Sequence, residues 1–360
     1  MAWSWRIGRI AGIPIFVHWT FLILIVWLLV SSVSAGRSIP QAFAELGFVM
    51  ALFGCVVLHE LGHALMARRF GVPTADITLL PIGGVARLER MPEKPSEEFL
   101  VAIAGPLVNV AIAAILFAFK AKTAVDLTDE RVLLKGDFLS RLLVVNLFLA
   151  IFNLLPAFPM DGGRILRALL AMFMDYGKAT RTAAMVGQLI AIGLGFLGLQ
   201  SGNVMLVFIA VFVWIGAQSE AGLVTERMEL RGVPVRRAML TSFQSLAPTN
   251  TLGDAVNLLL AGSQQDFPVV SDGKVLGMLT RAGLIEGLSR GGRDAAVKDV
   301  ALQAVASIDA SAMLAPALAH LREGGLACLQ VVENGQTVGL LTAENVAEFL
   351  MVKSALQSSR

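Results

Sequence analysis

The chain has little charge for its length, and this shortage limits what it can be. Asp, Glu, Lys and Arg make up 16% of its 360 residues, whereas apolar residues make up 56% and the mean hydropathy is +0.72. An average soluble domain has about 25% charged residues. The net charge of +2 is too small to suggest a nucleic acid as partner. The composition is typical of a membrane protein.

Cysteine is also scarce. The chain contains only Cys55 and Cys328, the first in a long apolar run and the second in a more polar region. We therefore expect no disulfide between them. The cysteine count gives no reason to expect an oxidising compartment.

Long apolar runs, by contrast, dominate the chain up to about Ser219. They cover residues 19–33, 43–66, 99–119, 138–155, 183–199 and 204–218, and we predict that each crosses the membrane as a helix. A cleaved signal peptide is the alternative for the first run, because Val33-Ser34-Ala35 resembles a cleavage site. The apolar stretch is longer than a typical signal core. The distribution of Lys and Arg between the loops favours cytoplasmic termini.

The second run ends in the pattern H-E-x-x-H, formed by His59, Glu60 and His63. Residues four apart lie on one face of a helix, so the two imidazoles can share a metal ion and Glu60 can reach a water molecule beside it. The motif is short and also occurs by chance in unrelated proteins. Ionisable residues inside a membrane helix are costly and usually functional, which favours the metal site. Cys55, one turn before His59, is interpreted as a packing residue.

The fourth run ends in a broken helix. Pro156 and Pro159 interrupt it, and irregular backbone at this depth is tolerated only where it is buried or lines a wet cavity. A catalytic zinc ion has three protein ligands and one open position, and Asp161 on this break is the predicted third ligand. The alternative is that Asp161 only caps a helix beginning at Gly162 or Gly163.

Two further features lie between these runs. Residues 75–80 and 85–88 alternate in polarity with Gly83-Gly84 between them, which predicts a β-hairpin. The segment is either a plain connecting loop or an exposed strand edge that can take up an extended peptide. Asn109, in the third run, is interpreted as a polar contact between helices.

Beyond about Glu220 the chain reads as a soluble fold that repeats itself. Segments 266–280 and 328–342 align without a gap, which matches Gly273 with Gly335 and Thr280 with Thr342. Each unit reads as helix, strand, hairpin, strand and helix, an α/β pattern. We predict a membrane domain over 1–219, a linker over 220–230 and two repeats over 231–291 and 292–355.

The membrane half resembles the site-2 protease family of intramembrane zinc metalloproteases. The resemblance rests on four motifs, which are H-E-L-G-H at 59–63, G-G at 83–84, A-G-P-L-V-N at 104–109 and N-L-L-P-A-F-P-M-D-G-G-R at 153–164. It implies a multi-pass α-helical protein of the cell membrane with one zinc ion bound by His59, His63 and Asp161. Glu60 would be the general base. Asn153 would orient substrate or stabilise the oxyanion, and Gly83-Gly84 would lie in a substrate-binding hairpin.

The tail resembles a tandem pair of CBS domains, a common adenine-nucleotide-sensing module. The resemblance implies ATP or AMP as ligand, with Thr280 and Thr342 at the sites, and a homodimer formed through this tail as a further possibility. Such sites usually have an acidic residue a few positions after the threonine, where Gly283 and Asn345 stand here. The alternative is a structural or dimerising tail.

The expected function is hydrolysis of peptide bonds in or near the membrane segments of single-pass proteins, such as membrane-anchored transcription regulators. Two other functions stay open. One is a transporter or channel regulated by its CBS tail, since broken helices and polar groups at membrane depth suit that as well. The other is a metal-binding pseudoprotease, which the intact Glu60 argues against.

Overall fold

In a computed structural model, the chain divides into two compact units, Met1–Val224 and Thr225–Arg360. The structure describes residues 3–81, 83–88, 94–120, 136–262, 264–271, 274–300 and 302–358. The first unit is mainly helical with one small sheet, and the second alternates helices and strands. The predicted fold class, a helical membrane protein with an α/β tail, is confirmed.

The helices of the first unit follow the apolar runs closely. In chain order they are α1 (Thr20–Ser34), α2 (Ile39–Arg69), α3 (Pro95–Lys120), α4 (Phe138–Asn153), α5 (Asp161–Ala171), α6 (Tyr176–Ser201) and α7 (Val204–Leu230). Among the described residues, four of them are long and apolar enough to cross a membrane, namely α2, α3, α6 and α7. Helices α1 and α4 are apolar but have only 15 and 16 residues. Six full-length spans are therefore not confirmed.

A four-stranded sheet lies against α2. Its strands are β1 (Ser4–Ile10), β2 (Ile13–His18), β3 (Thr74–Leu80) and β4 (Gly83–Leu88), in that order across the sheet. The β2–β3 pair is parallel and the other two pairs are antiparallel. A parallel pair needs a long crossover, which α1 and α2 supply. Ile15 and Ile77 of the sheet pack with Val57 and Leu61 of α2, so β4 lies as an edge strand beside the H-E-x-x-H segment.

The predicted β3–β4 hairpin is present, but the two glycines are not its turn. Gly83 and Gly84 are the first residues of β4 and pair with Leu80 and Leu79. Glycine is normally weak in strands, but it allows the backbone to come close to a neighbour. A Cβ on Gly84 would stand 2.9 Å from the Cγ of Glu60. Close approach to Glu60, which the local sequence does not reveal, explains the difference.

The second unit contains the repeat. Its elements are α8 (Leu252–Ala261), β5 (Phe267–Ser271), β6 (Lys274–Leu279), α9 (Arg281–Gly291), β7 (Ala306–Asp309), α10 (Leu314–Glu323), β8 (Leu329–Glu333), β9 (Gln336–Leu341) and α11 (Ala343–Ser358). Both hairpins shift register at the matching place, after Val269 in one and after Val331 in the other. The turn at 272–273 lies outside the described residues.

Helix α7 runs on to Leu230 and thus includes residues 220–230, where a linker was predicted. The domain limits remain a prediction.

Candidate metal centre

The predicted ligands of α2 lie on one buried face of that helix. His59 and His63 are 7% and 6% exposed, and their Nε2 atoms are 3.1 Å apart. One turn of helix separates the two residues, so their rings stand next to each other as the spacing predicts.

Asp161 lies beside the two histidines, although it is far from them in the sequence. Helix α4 ends at Asn153, the chain passes Pro156 and Pro159, and α5 begins at Asp161 itself. The Oδ2 atom of Asp161 lies 3.2 Å from each histidine Nε2. Met160, and not Asp161, occupies the N-cap position of α5. The capping alternative is therefore wrong, and the carboxylate faces the two histidines.

Glycine allows α5 to start so close to the broken chain. A Cβ on Gly162 would stand 2.1 Å from the carbonyl oxygen of Leu155, and one on Gly163 would stand 2.6 Å from the nitrogen of Phe158. Larger residues would push the start of α5 away, and Asp161 with it.

The three donor atoms fit a zinc ion. They all lie within 4.8 Å of one another, and the separations are 3.1 Å between the two Nε2 atoms and 3.2 Å from each Nε2 to Oδ2 of Asp161. Tetrahedral zinc, with bonds of about 2.0–2.1 Å, separates its ligand atoms by roughly 3.3 Å. Two imidazoles and one carboxylate are also a donor set found at catalytic zinc sites that leave one position open.

Each histidine is held by a hydrogen bond from its other ring nitrogen. The Nδ1 atom of His63 lies 2.7 Å from the carbonyl oxygen of Val101 on α3. Because a carbonyl can only accept, this Nδ1 carries the proton, and the lone pair of Nε2 faces Asp161. The Nδ1 atom of His59 contacts the Oδ1 atom of Asn109. Asn109 does join two helices, as predicted, but its partner is a predicted metal ligand, which the sequence pattern did not indicate.

The backbone of α3 comes close to the two histidines at Gly105, which has no side chain. A Cβ on Gly105 would stand 2.2 Å from Nε2 of His63 and 2.7 Å from Nε2 of His59. Gly105 belongs to the A-G-P-L-V-N motif, but nothing in a single sequence tells which glycine of a membrane helix lies against a histidine.

The remaining predicted residues meet in one cavity beside the donor atoms. Its volume is about 240 Å³, and it is lined by Val56, His59, Glu60, Gly83, Gly84, Asn109, Leu149, Phe152, Asn153, Pro159, Met160 and Phe212. The backbone N–H of Ala86 on β4 donates to Oε2 of Glu60 at 3.2 Å. The sequence pattern gave no sign of Phe212 of α7, which lies in the sixth apolar run.

Helix α5 is anchored by one buried guanidinium. Arg167 is 1% exposed; its Nε donates to Oε1 of Glu98 on α3 at 2.7 Å, and its Nη1 donates to Glu220 on α7. The rings of Phe158 and Tyr176 lie 5.1 and 5.2 Å from it. The helix that begins with Asp161 is thus tied to two membrane helices.

In the second unit, the two motif threonines differ. Thr342 lines a cavity of about 540 Å³, whose lining also includes Asp266, Glu344, Asn345 and Glu348. The hydroxyl of Thr342 lies 2.7 Å from Oδ1 of Asn345 and accepts from its backbone N–H at 3.2 Å.

Thr280 has a different place. It is not among the residues that line this cavity, and its hydroxyl caps α9 by accepting from the N–H of Gly283 at 3.1 Å. The structure thus brings one of the two predicted nucleotide residues to a cavity.

Cys328 is buried in the wall of the same cavity. Burial, and to a smaller extent the charge of Asp266, raises the pKa of its thiol to about 12. The side chain is a neutral thiol at physiological pH.

Comparison with known proteins finds two families in this chain. Residues 47–125 and 133–194 match the family described as Peptidase family M50, and residues 235–290 and 297–352 match the CBS domain. Zinc metalloprotease MJ0392 of Methanocaldococcus jannaschii is 35% identical over 279 residues, which cover 78% of each chain. Rip3 of Mycobacterium tuberculosis is 30% identical over 370 residues, which cover 96% of this chain and 92% of Rip3. Among solved structures, the site-2 protease from Methanocaldococcus jannaschii is 39% identical, covers 61% of this chain and 95% of its own, and superimposes with a TM-score of 0.45.

Proposed function

The chain belongs to peptidase family M50, the site-2 protease family of membrane-embedded zinc metalloproteases, and from that membership we propose how its own residues cut a peptide bond. His59, His63 and Asp161 hold one zinc ion. The convergence of their three donor atoms at 3.1–3.2 Å carries this proposal. Glu60, which opens on the adjoining cavity, is the general base.

The chemistry divides between the ion and the protein. A bound zinc ion supplies a Lewis acid that polarises a carbonyl group and lowers the pKa of water. The carboxylate of Glu60 accepts the proton of the attacking water and passes it to the nitrogen of the leaving amine. Asn153 lines the same cavity, where its amide N–H groups can orient the scissile carbonyl or donate to the developing oxyanion.

The substrate binds along the β4 edge in an extended form. The amides of a membrane helix are already hydrogen-bonded within it, so the substrate has to unwind before attack. Strand β4 has β3 on one side, and Gly83 and Gly84 open on the cavity. The N–H of Ala86 points to Glu60, away from β3. Pairing with this edge would hold an unwound segment beside Glu60.

The protein is a membrane protein, and we place it in the cell membrane with both termini in the cytoplasm. Arg68 and Arg69 in the last turn of α2 support this orientation, since positive residues collect on the cytoplasmic side. The centre then lies near the cytoplasmic face. The substrates in this proposal are single-pass membrane proteins, including membrane-anchored transcription regulators.

The CBS unit regulates this activity by binding AMP or ATP in the cavity beside Thr342. The size of the cavity, about 540 Å³, supports a nucleotide-sized ligand. A homodimer formed through this unit remains part of the proposal.

Glu60→Gln is the deciding variant for the protease. We expect it to keep its zinc and to lose cleavage of a membrane substrate in detergent, because an amide cannot accept the proton. Glu45→Gln, a partly exposed position on the same helix that pairs with Arg37, is the matched control and should cleave normally. Unchanged cleavage by Glu60→Gln would overturn Glu60 as the general base, whereas no cleavage by the wild-type protein would favour a transporter or a binding protein.

A further inference from the structure

We infer that Asn146 on α4 is a positioning residue for the metal centre, which acts through Asn109 on the tautomer of His59. This inference rests on the proposed role of His59 as a zinc ligand. Asn109 and Asn146 are fully buried at 0% exposed on the apolar helices α3 and α4, where an amide is costly unless it is hydrogen-bonded.

Each of these amides has its nitrogen and its oxygen in one fixed orientation, because each hydrogen bond needs a donor on one side and an acceptor on the other. The Nδ2 atom of Asn146 donates to the carbonyl oxygen of Leu142 at 2.8 Å and contacts Sγ of Cys55 at 3.4 Å. With its nitrogen fixed in this way, Asn146 presents its oxygen to Asn109, whose Nδ2 donates to it at 2.9 Å. Asn109 in turn presents its own oxygen to Nδ1 of His59.

The orientation of both amides is determined by the backbone carbonyl of Leu142, which can only accept a hydrogen bond. A backbone carbonyl has no hydrogen to give, so it fixes the first amide, and each amide fixes the next. Turning Asn109 over would place its oxygen against the oxygen of Asn146. Turning Asn146 as well would place its oxygen against the carbonyl of Leu142. Only the observed orientation gives both side-chain amides and the Nδ1 atom of His59 a donor or acceptor of the matching kind.

The consequence is a fixed tautomer at His59. An oxygen acceptor at Nδ1 requires the proton to be there, so the lone pair of Nε2 faces Asp161 and is ready for a metal. His63 reaches the same state directly from the carbonyl of Val101. Backbone carbonyls thus determine the tautomers of both histidines. The carbonyl of Val101 bonds directly to His63, and the carbonyl of Leu142 acts on His59 through Asn146 and Asn109.

The first test measures zinc affinity in detergent by competition with a chelating indicator. We expect Asn146→Ala to weaken zinc binding about tenfold, the lower end of what loss of an outer-shell partner costs. Asn109→Asp should remove this dependence, because a carboxylate can only accept from His59 whatever stands at position 146. Adding Asn146→Ala to Asn109→Asp should therefore leave the affinity unchanged.

The second test reads the tautomer itself in zinc-free protein. The chain has four histidines, so nitrogen NMR of histidine-labelled protein gives few signals. We expect Nδ1 of His59 to carry a proton in the wild type, whatever the state of Nε2 beside Asp161, and to lose that proton in part of the Asn146→Ala molecules. Thr180→Ala is the control, since Thr180 is a fully buried polar residue whose hydroxyl, among the described residues, donates to the carbonyl of Tyr176 in its own helix.

An equal loss of affinity in both backgrounds, or an unchanged His59 tautomer in Asn146→Ala, would overturn the inference. The outcome is separate from that of the proposed function. A wild-type protein that binds no zinc contradicts the protease, whereas the tautomer reading needs no metal. If Asn146→Ala does not fold, Asn146→Leu removes the same acceptor while keeping the volume of the side chain, and it should change the His59 tautomer in the same way.

Discussion

Individual residues in this protein matter most where two backbones or rings come close. Gly105 is the clearest case, because the space its missing side chain leaves is filled by the two imidazole Nε2 atoms. The sequence pattern identified His59, His63 and Asp161, since chemistry restricts the residue types that bind zinc. It did not identify Gly105 or Asn146, because their roles depend on helices that meet from distant parts of the chain.

Gly105→Ala should remove the metal. The new methyl group would overlap Nε2 of His63, so either the ring or α3 has to move. We expect less than one zinc ion per chain by elemental analysis, and no cleavage. Gly54→Ala is the control, because a Cβ there meets nothing within 4 Å, and alanine favours the helix. A fully loaded Gly105→Ala protein would contradict this account of α3.

At the scale of helices and strands, the sequence predicts the membrane-type helices and the repeat, because both appear as local patterns of residues. The helices follow the runs, and the two hairpins of the tail shift register at matching positions. Features that depend on contacts between distant segments could not be predicted from the sequence. The parallel β2–β3 pair joins distant segments, and the start of α5 at Asp161 depends on contacts of Gly162 and Gly163.

The anchoring of α5 predicts a large loss of stability in Arg167→Met. This change leaves Glu98, which is 2% exposed, without its cation, and breaking a buried ion pair in this way costs roughly 3–5 kcal/mol. Thermal unfolding in detergent would measure it. Arg181→Met on the exposed side of α6 should change stability by less than about 0.5 kcal/mol. Adding Glu98→Gln to Arg167→Met should recover part of the loss, and a fall no larger than that of the control would contradict the anchor.

At the scale of the whole molecule, the cavity beside Thr342 is the proposed site at which the CBS unit binds a soluble ligand. The charge of that site predicts which nucleotide it prefers. Asp266, Glu344 and Glu348 line the cavity, and the described lining residues include no Lys or Arg. Each added phosphate then brings more repulsion, and the repulsion is strongest at low salt.

We therefore expect the full chain in detergent to bind AMP more tightly than ATP in calorimetry without magnesium. Thr342→Val should weaken AMP binding, because Thr342 lines the cavity. Thr280→Val removes an equivalent helix cap away from the cavity and serves as the matched control. Tighter binding of ATP, or equal losses in the two threonine variants, would contradict this assignment.

The short helices α1 and α4 have a consequence for the lipid around them. With 15 and 16 residues they are about 22 and 24 Å long, whereas the hydrocarbon core of a bilayer is about 30 Å thick. If both helices cross the membrane, as the sequence predicts, a bilayer that thins to match them would draw its two surfaces together beside them. A substrate helix passing through such a region would have fewer turns in hydrocarbon, and its ends would emerge into the headgroups. Water there could hydrogen-bond to opened amides, so the membrane itself would lower the free energy of unwinding the substrate.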